Sequence, residues 1–178
     1  MANPPHSTGF PREVETERLL LRQFRQEDVD AYADMVGDPV INEFFRDGPM
    51  SREQAWRHMA MHSGLWNLMG YGRWAVQLKA TGEFIGRIGL WHPPEYPEIE
   101  LGWVVQQRHW GKGYATEGGR AALHAGFDTL GVSHIISLIV PGNQRSVRVA
   151  EKLGGRYEGR IPMFGEEVLV YGYEGPRP

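Results

Sequence analysis

The sequence lacks cysteine, long apolar runs and an excess of basic charge, and each absence excludes a class of protein. Without cysteine the chain can form no disulfide, no zinc site with thiolate ligands and no cysteine nucleophile. No apolar run reaches membrane-spanning length, and the N-terminus lacks the basic-then-apolar order of a secretory signal. The net charge of −3 argues against a surface built for nucleic acid, although it allows a local basic pocket. We therefore expect a cytoplasmic protein with no membrane or nucleic-acid partner.

The length and composition fit one globular domain. The chain has 178 residues, of which 41% are hydrophobic and 23% charged, and such a chain can bury a substantial core. Turn-forming residues mark the N-terminal segment as loose: Pro4, Pro5, Gly9 and Pro11. We find no internal repeat and no interdomain linker. We expect a flexible leader over residues 1–14 and a single domain over residues 15–175.

The periodicity of the apolar residues predicts a mixed α/β domain. Strands are predicted over these segments: 17–24, 73–79, 84–91, 98–105, 134–140, 155–161 and 167–173. Helices are predicted over 26–36, 51–69, 115–130 and 143–153, with a short additional one from Asp38-Pro39. The capping-box pattern Ser51-Arg-Glu-Gln54 marks the start of the long second helix. The 115–130 segment has the clearest helical period, and Gly131 provides its stop.

A glycine-rich turn between a predicted strand and a predicted helix suggests a phosphate site. Two nucleotide-binding patterns fail there. A Walker loop needs a hydroxyl residue after its lysine, but Lys112 is followed by Gly113. A dinucleotide fingerprint starting at Gly111 would need a third glycine where Thr116 stands, and no acidic residue ends a strand about twenty positions later. A third pattern, Arg108-x-x-Gly111-x-Gly113 directly before a helix, is met.

With that pattern the chain resembles the GNAT superfamily of acyl-CoA-dependent N-acyltransferases, and its RimJ- and RimL-like branch. The resemblance extends over roughly residues 15–173. It rests on motifs that are similar to those of that branch in order and spacing: Glu17-Arg-Leu-Leu-Leu-Arg-Gln-Phe24, Glu100-Leu-Gly-Trp103, Trp110-Gly-Lys-Gly-Tyr-Ala-Thr-Glu117, Pro141-Gly-Asn-Gln-Arg-Ser146 and Glu151-Lys-Leu-Gly154.

The resemblance implies a fold and a donor. The fold is a central, mostly antiparallel twisted sheet of about six to seven strands, splayed at the middle and flanked by about four to five helices. The donor is acetyl-CoA, with no metal. Cofactor contacts are expected at these positions: Trp103, Val104, Val105, Arg108, Gly111, Lys112, Gly113, Tyr114, Ala115, Thr116, Asn143, Arg145 and Ser146.

The chemistry of the glycine turn supports this assignment independently. A helix N-terminus leaves N–H groups unpaired and carries partial positive charge, which suits a pyrophosphate. Gly111 and Gly113 let the backbone approach the anion, and Arg108, Lys112 and Arg145 add local positive charge. The alternative is a plain strand-to-helix connection with solvated basic residues.

For catalysis the resemblance places Glu100 beside the thioester, where the pantetheine arm pairs with residues 103–105. A carboxylate among apolar neighbours could take the proton of the attacking amine, directly or through water. Glu98 shares the same facing and is a second candidate. The alternative is that Glu100 is only a polar residue on a sheet face.

The motifs leave open which group acts as the general acid. Many superfamily members protonate the departing thiolate with a tyrosine, but the matching position here is Ala150. The RimL-like branch offers a serine instead, which corresponds to Ser146. Asn143 would bind the pantetheine arm or hold the loop. Both residues could also simply cap the following helix, and water could protonate the thiolate.

A histidine pair and several aromatic residues are further candidates for the site. His58 and His62 have the i, i+4 spacing of a helical metal pair, but they lack the zincin glutamate and a third ligand. We expect a surface or acceptor-side helix face there. Several aromatic residues are expected mostly in the core, with one or two lining the amine pocket: Phe44, Phe45, Trp56, Trp66 and Trp91.

Together these features predict an N-acetyltransferase that moves an acetyl group from acetyl-CoA to a primary amine by direct transfer in a ternary complex. The acceptor could be a protein N-terminus, a peptide or a small amine, and the protein could be a monomer or a homodimer. The alternative is a non-catalytic acyl-CoA-binding or sensor module on the same scaffold, which the missing tyrosine at Ala150 favours.

Overall fold

The computed structural model describes residues 9–45, 48–163 and 165–176, and these contain eight strands and four α-helices. The strands are β1 (Val14–Glu15), β2 (Leu19–Arg22), β3 (Arg73–Leu78), β4 (Phe84–Trp91), β5 (Glu100–Val105), β6 (His134–Ile139), β7 (Arg156–Met163) and β8 (Glu166–Glu174). The helices are α1 (Val29–Gly37), α2 (Arg52–Met69), α3 (Tyr114–Leu130) and α4 (Gln144–Lys152). None of the helices in these ranges is long and apolar enough to cross a membrane.

All strands join one sheet in the order β1-β2-β3-β4-β5-β6-β8-β7. Every neighbouring pair is antiparallel except β5 and β6, which are parallel and in register only at Glu100 and Ile136. Next to that pair the Ile136 N–H donates to the Ile99 carbonyl at 3.0 Å. The predicted mixed α/β fold with a mostly antiparallel sheet is therefore confirmed, and the two-residue β1 raises the strand number above the predicted range.

The two faces of the sheet carry separate apolar clusters. On one face α3 packs against β2, β4 and β5, and the apolar cluster there includes Leu21, Trp74 and Ile88. On the other face α1 and α2 pack against Ala75 and Val104. Because side chains alternate along a strand, each central strand supplies both clusters.

Local signals in the sequence explain the helix boundaries. The Ser51 hydroxyl accepts the Gln54 N–H at 3.3 Å, and the Gln54 side chain accepts the Ser51 N–H at 2.8 Å, so the predicted capping box is confirmed. Gly70 ends α2 in the left-handed conformation. The short helix predicted from Asp38-Pro39 is wrong, since the chain instead forms a 3-10 turn over Asn42–Phe44.

The predicted leader over residues 1–14 differs from the structure in its second part. Residues 1–8 lie outside the described residues. Phe10 is only 6% exposed and stacks on Trp74 with ring centroids 4.9 Å apart, and the Trp74 indole N–H donates to the Pro11 carbonyl at 3.2 Å. Residues 9–14 therefore pack on the sheet, because one aromatic side chain anchors a segment whose glycine and proline content indicated a loose one. The division at residue 15 stays a prediction.

Candidate active site

A cavity of about 480 Å³ opens where β5 and β6 separate, between the N-terminal ends of α3 and α4. Most of the predicted site residues line it: Glu100, Trp103, Val104, Val105, Gly111, Gly113, Tyr114, Ala115, Thr116, Asn143, Arg145 and Ser146. The fold thus brings together residues that are up to 46 positions apart in the chain, from Glu100 to Ser146.

One edge of β5 faces this cavity with little strand pairing. The strand is fully paired with β4 along its other edge, but it pairs with β6 only at Glu100. The Ser137 hydroxyl bridges the gap by donating to the Leu101 carbonyl at 2.7 Å. Backbone groups on the open edge need partners, so an extended ligand with amide groups fits beside residues 103–105.

The loop at the start of α3 is built to hold an anion. Gly111 and Gly113 have φ values of 75° and 84°, a conformation that favours glycine. The Glu117 N–H is the first in α3 to reach a helical carbonyl, that of Gly113. Among the described residues, the N–H groups of residues 111–116 find no hydrogen-bond acceptor. Several unpaired N–H groups at a helix N-terminus fit a diphosphate.

Arg18, the residue just before β2, holds this loop through its side chain. The Arg18 guanidinium donates to the Lys112 carbonyl at 2.9 Å and to Glu117 at 2.7 Å, and it lies 4.6 Å from the Tyr114 ring centroid. Burial alone would raise the pKa of Glu117, but hydrogen bonds from Thr16 and Arg18 lower it below its ordinary value. The sequence motif containing Arg18 was noticed, but its contact with the loop depends on the tertiary fold.

The basic residues divide into those that reach the cavity and those that do not. Arg145 lies 4.3 Å over the Trp110 ring at the cavity wall, and exposed Arg148 and Lys152 also line the cavity, although the sequence did not single them out. Arg108 and Lys112 are not among the lining residues. Arg108 instead donates to Glu83 at 2.7 Å, and this hydrogen bond lowers the pKa of Glu83. Arg108 thus forms an ion pair with Glu83, and its expected cofactor contact stays a prediction.

Glu100 lies at the inner end of the cavity and is 8% exposed. Its Oε2 atom accepts hydrogen bonds from Arg73 at 2.7 Å and from the Trp91 indole at 2.5 Å. Its Oε1 atom accepts none from the part of the chain that the structure describes. Glu98, the second candidate base, is exposed and contacts His134 Nδ1 at 2.7 Å, outside the cavity. The geometry therefore favours Glu100 over Glu98 as the acidic side chain of the site.

Two buried arginines share the sheet face of Glu100, and no sequence motif pointed to them. Arg73 is 6% exposed and lies opposite Gly89, and Arg87 is 4% exposed and lies opposite Val104. Burial and then the charge of Arg87 lower the pKa of Arg73 to about 10, while Glu100 opposes the shift. A Cβ on Gly102 would lie 2.5 Å from Arg73 Nη2, so glycine makes room for the guanidinium. An arginine inside an apolar strand pattern was the available signal.

The start of α4 shows that capping and cavity lining coexist. The Asn143 side chain accepts the Ser146 N–H at 3.1 Å, which confirms the capping role. The Ser146 hydroxyl has no hydrogen-bond partner among the described residues, and both residues line the cavity. Ala150 is fully buried in the α3-side core and carries no acid.

The two histidines of α2 belong to the interior. Of the two expectations for this helix face, the surface one is wrong for His62, which is 0% exposed and has no partner for either ring nitrogen among the described residues. The acceptor-side expectation stays a prediction. His58 Nδ1 lies 3.0 Å from the Tyr32 hydroxyl. Burial, followed by the charges of Arg87 and Arg73, lowers the pKa of His58 to about 3, so its ring is neutral near pH 7. The expectation that most of the five aromatic residues lie in the core is wrong, because only Trp66 is buried there, while Phe45 and Trp56 are 40% and 48% exposed. Phe44 and Phe45 line the cavity.

Comparison with known proteins assigns the chain to a family. The chain matches the acetyltransferase (GNAT) domain family over residues 18–156. It is 34% identical over 166 residues to Uncharacterized protein YkkB of Bacillus subtilis (strain 168), covering 88% of this chain and 92% of that protein. It is 31% identical over 154 residues to Uncharacterized N-acetyltransferase YoaA of the same organism, covering 85% and 86%.

The solved structure of the acetyltransferase from Agrobacterium tumefaciens str. C58 gives the same assignment. It superposes with a TM-score of 0.81 at 36% identity, over 91% of this chain and 94% of that one. The family match covers most of the chain. The open β5 edge and the anion loop both lie within the matched residues. The chain therefore belongs to the GNAT acetyltransferase family.

Proposed function

We propose that the protein is an N-acetyltransferase that moves an acetyl group from acetyl-CoA to a primary amine by direct transfer in a ternary complex. The observation that carries this proposal is the position of Glu100, a buried carboxylate in the same cavity as the anion loop and the open β5 edge. A non-catalytic binding module would need the anion loop and the open β5 edge. It would not need a buried carboxylate in the same cavity.

The groups that line the cavity suit the chemical groups of acetyl-CoA. The unpaired N–H groups of residues 111–116 suit its diphosphate, and the open edge at residues 103–105 suits the amides of its pantetheine arm. Arg145, Arg148 and Lys152 add positive charge at the cavity wall. When bound, acetyl-CoA supplies a thioester carbonyl as the electrophile.

Glu100 and Ser146 are assigned the two proton transfers. Glu100 accepts the proton of the attacking amine, directly or through a water, as the new N–C bond forms at the acyl carbon. The C–S bond breaks and the sulfur keeps the electron pair. Ser146, whose hydroxyl has no other partner among the described residues, or a water then gives that sulfur a proton. No acyl-enzyme step is required.

We also propose which class of amine accepts the acetyl group. A protein N-terminus, a peptide or a small amine would each present a primary amine, and the RimJ- and RimL-like sequence motifs favour N-termini. We further propose a cytoplasmic protein, either monomeric or homodimeric. The early helices α1 and α2 cover the side of the sheet on which the acceptor would enter.

A thiol-release assay with acetyl-CoA and an amine panel tests the function. We expect at least one amine to raise thiol release well above hydrolysis, and mass spectrometry to find the acetylated amine. The panel should include ribosomal-protein N-terminal peptides, amino acids and polyamines. The absence of tyrosine at Ala150 favours the sensor alternative. Binding of acetyl-CoA with no acceleration by any amine would support that alternative and reject the enzyme.

A further inference from the structure

The acceptor side of the cavity contains more positive charge than the proposed reaction uses. Its floor, formed by Glu100, Arg73 and Arg87, lies on the sheet face that α1 and α2 cover. Arg73 is paired with Glu100. Arg87 forms no ion pair with a carboxylate of the described residues, and the Nε atoms of both arginines are buried without a hydrogen-bond partner there.

The groups around Arg87 do not neutralise it. The Phe45 ring centroid lies 6.0 Å from its guanidinium carbon. Burial raises the pKa of the neighbouring Tyr32, while Arg87 and Arg73 oppose that shift, so the phenol is neutral near pH 7. His58 is neutral as well. The floor therefore holds two guanidinium groups and one carboxylate, and a buried charge without a counter-charge is costly.

The strand register orders these charges along the floor. Glu100 lies opposite Trp91 and Arg87 lies opposite Val104, so the two side chains start about 13 Å apart along the strands. Arg73, opposite Gly89, lies between them. The anion loop lines the same cavity as Arg87. An acceptor whose amine is beside Glu100 can extend along β5 towards Arg87.

We propose that the acceptor is an amine that also carries a carboxylate, and that this carboxylate pairs with Arg87 while the amine lies at Glu100. The inference rests on the proposed acetyltransferase function and names its acceptor class. A guanidinium offers a planar pair of N–H donors that matches a carboxylate, and in a buried site such a pair is stronger than at the surface. The acceptor carboxylate then balances the positive charge that the described residues leave on the floor.

Matched acceptor pairs test the inference. We would measure kcat/KM for ω-amino acids from β-alanine to 6-aminohexanoate and for the corresponding primary amides, which keep the chain length and remove the charge. A second arm uses short peptides with aspartate or asparagine in the second position, to separate a free amino acid from a peptide side chain as the source of the carboxylate. We expect the acid to exceed its amide by about tenfold or more at the best length.

Variants at Arg87 assign the preference to that side chain. Arg87→Gln should reduce the acid-to-amide ratio to near one by slowing only the acid, and Arg87→Lys should lower it partly. Arg160→Gln, at an exposed arginine of β7, is the matched control and should keep the wild-type ratio. Melting temperature and acetyl-CoA affinity report whether each variant is folded. If Arg87→Gln does not fold, the acid-to-amide ratios of the wild type and of Arg87→Lys still test the inference.

The outcomes separate this inference from the proposed function. Equal kcat/KM for acids and amides would overturn the carboxylate inference while the acetyltransferase stands. A wild-type preference that persists unchanged in folded Arg87 variants would also overturn it, because another group would then bind the acid. If no amine accelerates thiol release, the proposed function itself fails.

Discussion

Glu100 combines a fixed position with a free oxygen. Arg73 and the Trp91 indole both donate to Oε2, which holds the side chain in one orientation inside the cavity. Oε1 has no donor within the described chain and remains for the proton of an amine or a water. A general base needs this combination, since both geometry and an open lone pair are required for proton transfer.

Glu100→Gln tests the base at residue scale. Glutamine keeps the shape and an oxygen that can accept from Arg73, but it cannot take a proton. We expect kcat to fall by about 100-fold or more near pH 7, with a smaller loss at high pH, where the acceptor amine is already neutral. Steady-state kinetics from pH 6 to 10 measure this. A variant with unchanged kcat and an unchanged pH profile would reject the base assignment.

The sequence located Glu100 but not the arginines beside it. Glu100 belongs to a motif whose order along the chain could be read directly. Arg73 and Arg87 lie in strands that were predicted, but whether an arginine on a strand meets water or a cavity depends on the pairing register and on which helix covers that face. Gly89 and Gly102 leave space for Arg73. This role can be recognised only when the pairing of strands β3, β4 and β5 is known.

At the scale of elements, the anion loop and α3 act as one unit. Gly111 and Gly113 turn the chain so that the first N–H groups of α3 remain unpaired, and Arg18 holds the loop against β2. The other end of α3 stops at Gly131, which is also left-handed with a φ of 64°. The helix therefore has a functional glycine at one end and a purely structural one at the other.

Substitution of these glycines by alanine separates function from stability. An added Cβ would meet no described atom within 4 Å at Gly111 or at Gly131, so both variants suffer mainly the cost of a left-handed alanine, about 1 kcal/mol of unfolding free energy. We expect only Gly111→Ala to weaken acetyl-CoA binding, by about tenfold. Urea unfolding and calorimetric titration measure the two effects. Equal binding losses in both variants would show that the loop is not the anion site.

Elements with a strong apolar period were predictable, and short ones were not. The sequence placed α2, α3 and α4 within one or two residues, because period, capping box and stop residues agree there. It missed β1, whose two residues carry no period, and the turn at Asn42–Phe44, which tertiary packing forms. Strand β5 starts at Glu100, two residues later than predicted.

At the scale of the whole molecule, the sheet consists of two parts with a narrow junction. Strands β1 to β5 meet β6, β8 and β7 through one register pair, Glu100 and Ile136. Besides the Ser137 hydroxyl, His134 of β6 also connects the two parts, because its Nδ1 atom contacts Glu98 at 2.7 Å and its Nε2 atom contacts Glu158 at 3.0 Å. The cavity needs this separation of the strands, so the junction must be stabilised by side chains rather than by a continuous ladder.

This junction predicts a pH dependence of stability with a definite sign. Burial alone would lower the pKa of His134, but its hydrogen bonds with Glu98 and Glu158 raise it above 6.5 in the folded protein. Its stabilising contribution is therefore complete below pH 6.5 and is lost as the pH rises through the raised folded value. We expect His134→Gln to lower the unfolding free energy markedly at pH 6 and much less at pH 9, as measured by urea unfolding. His124→Gln, at an exposed histidine of α3, is the control and should show a small difference at both pH values, because exposed ion pairs contribute little. A His134→Gln deficit that stays constant or grows with pH would contradict the assignment of charge to the His134 junction.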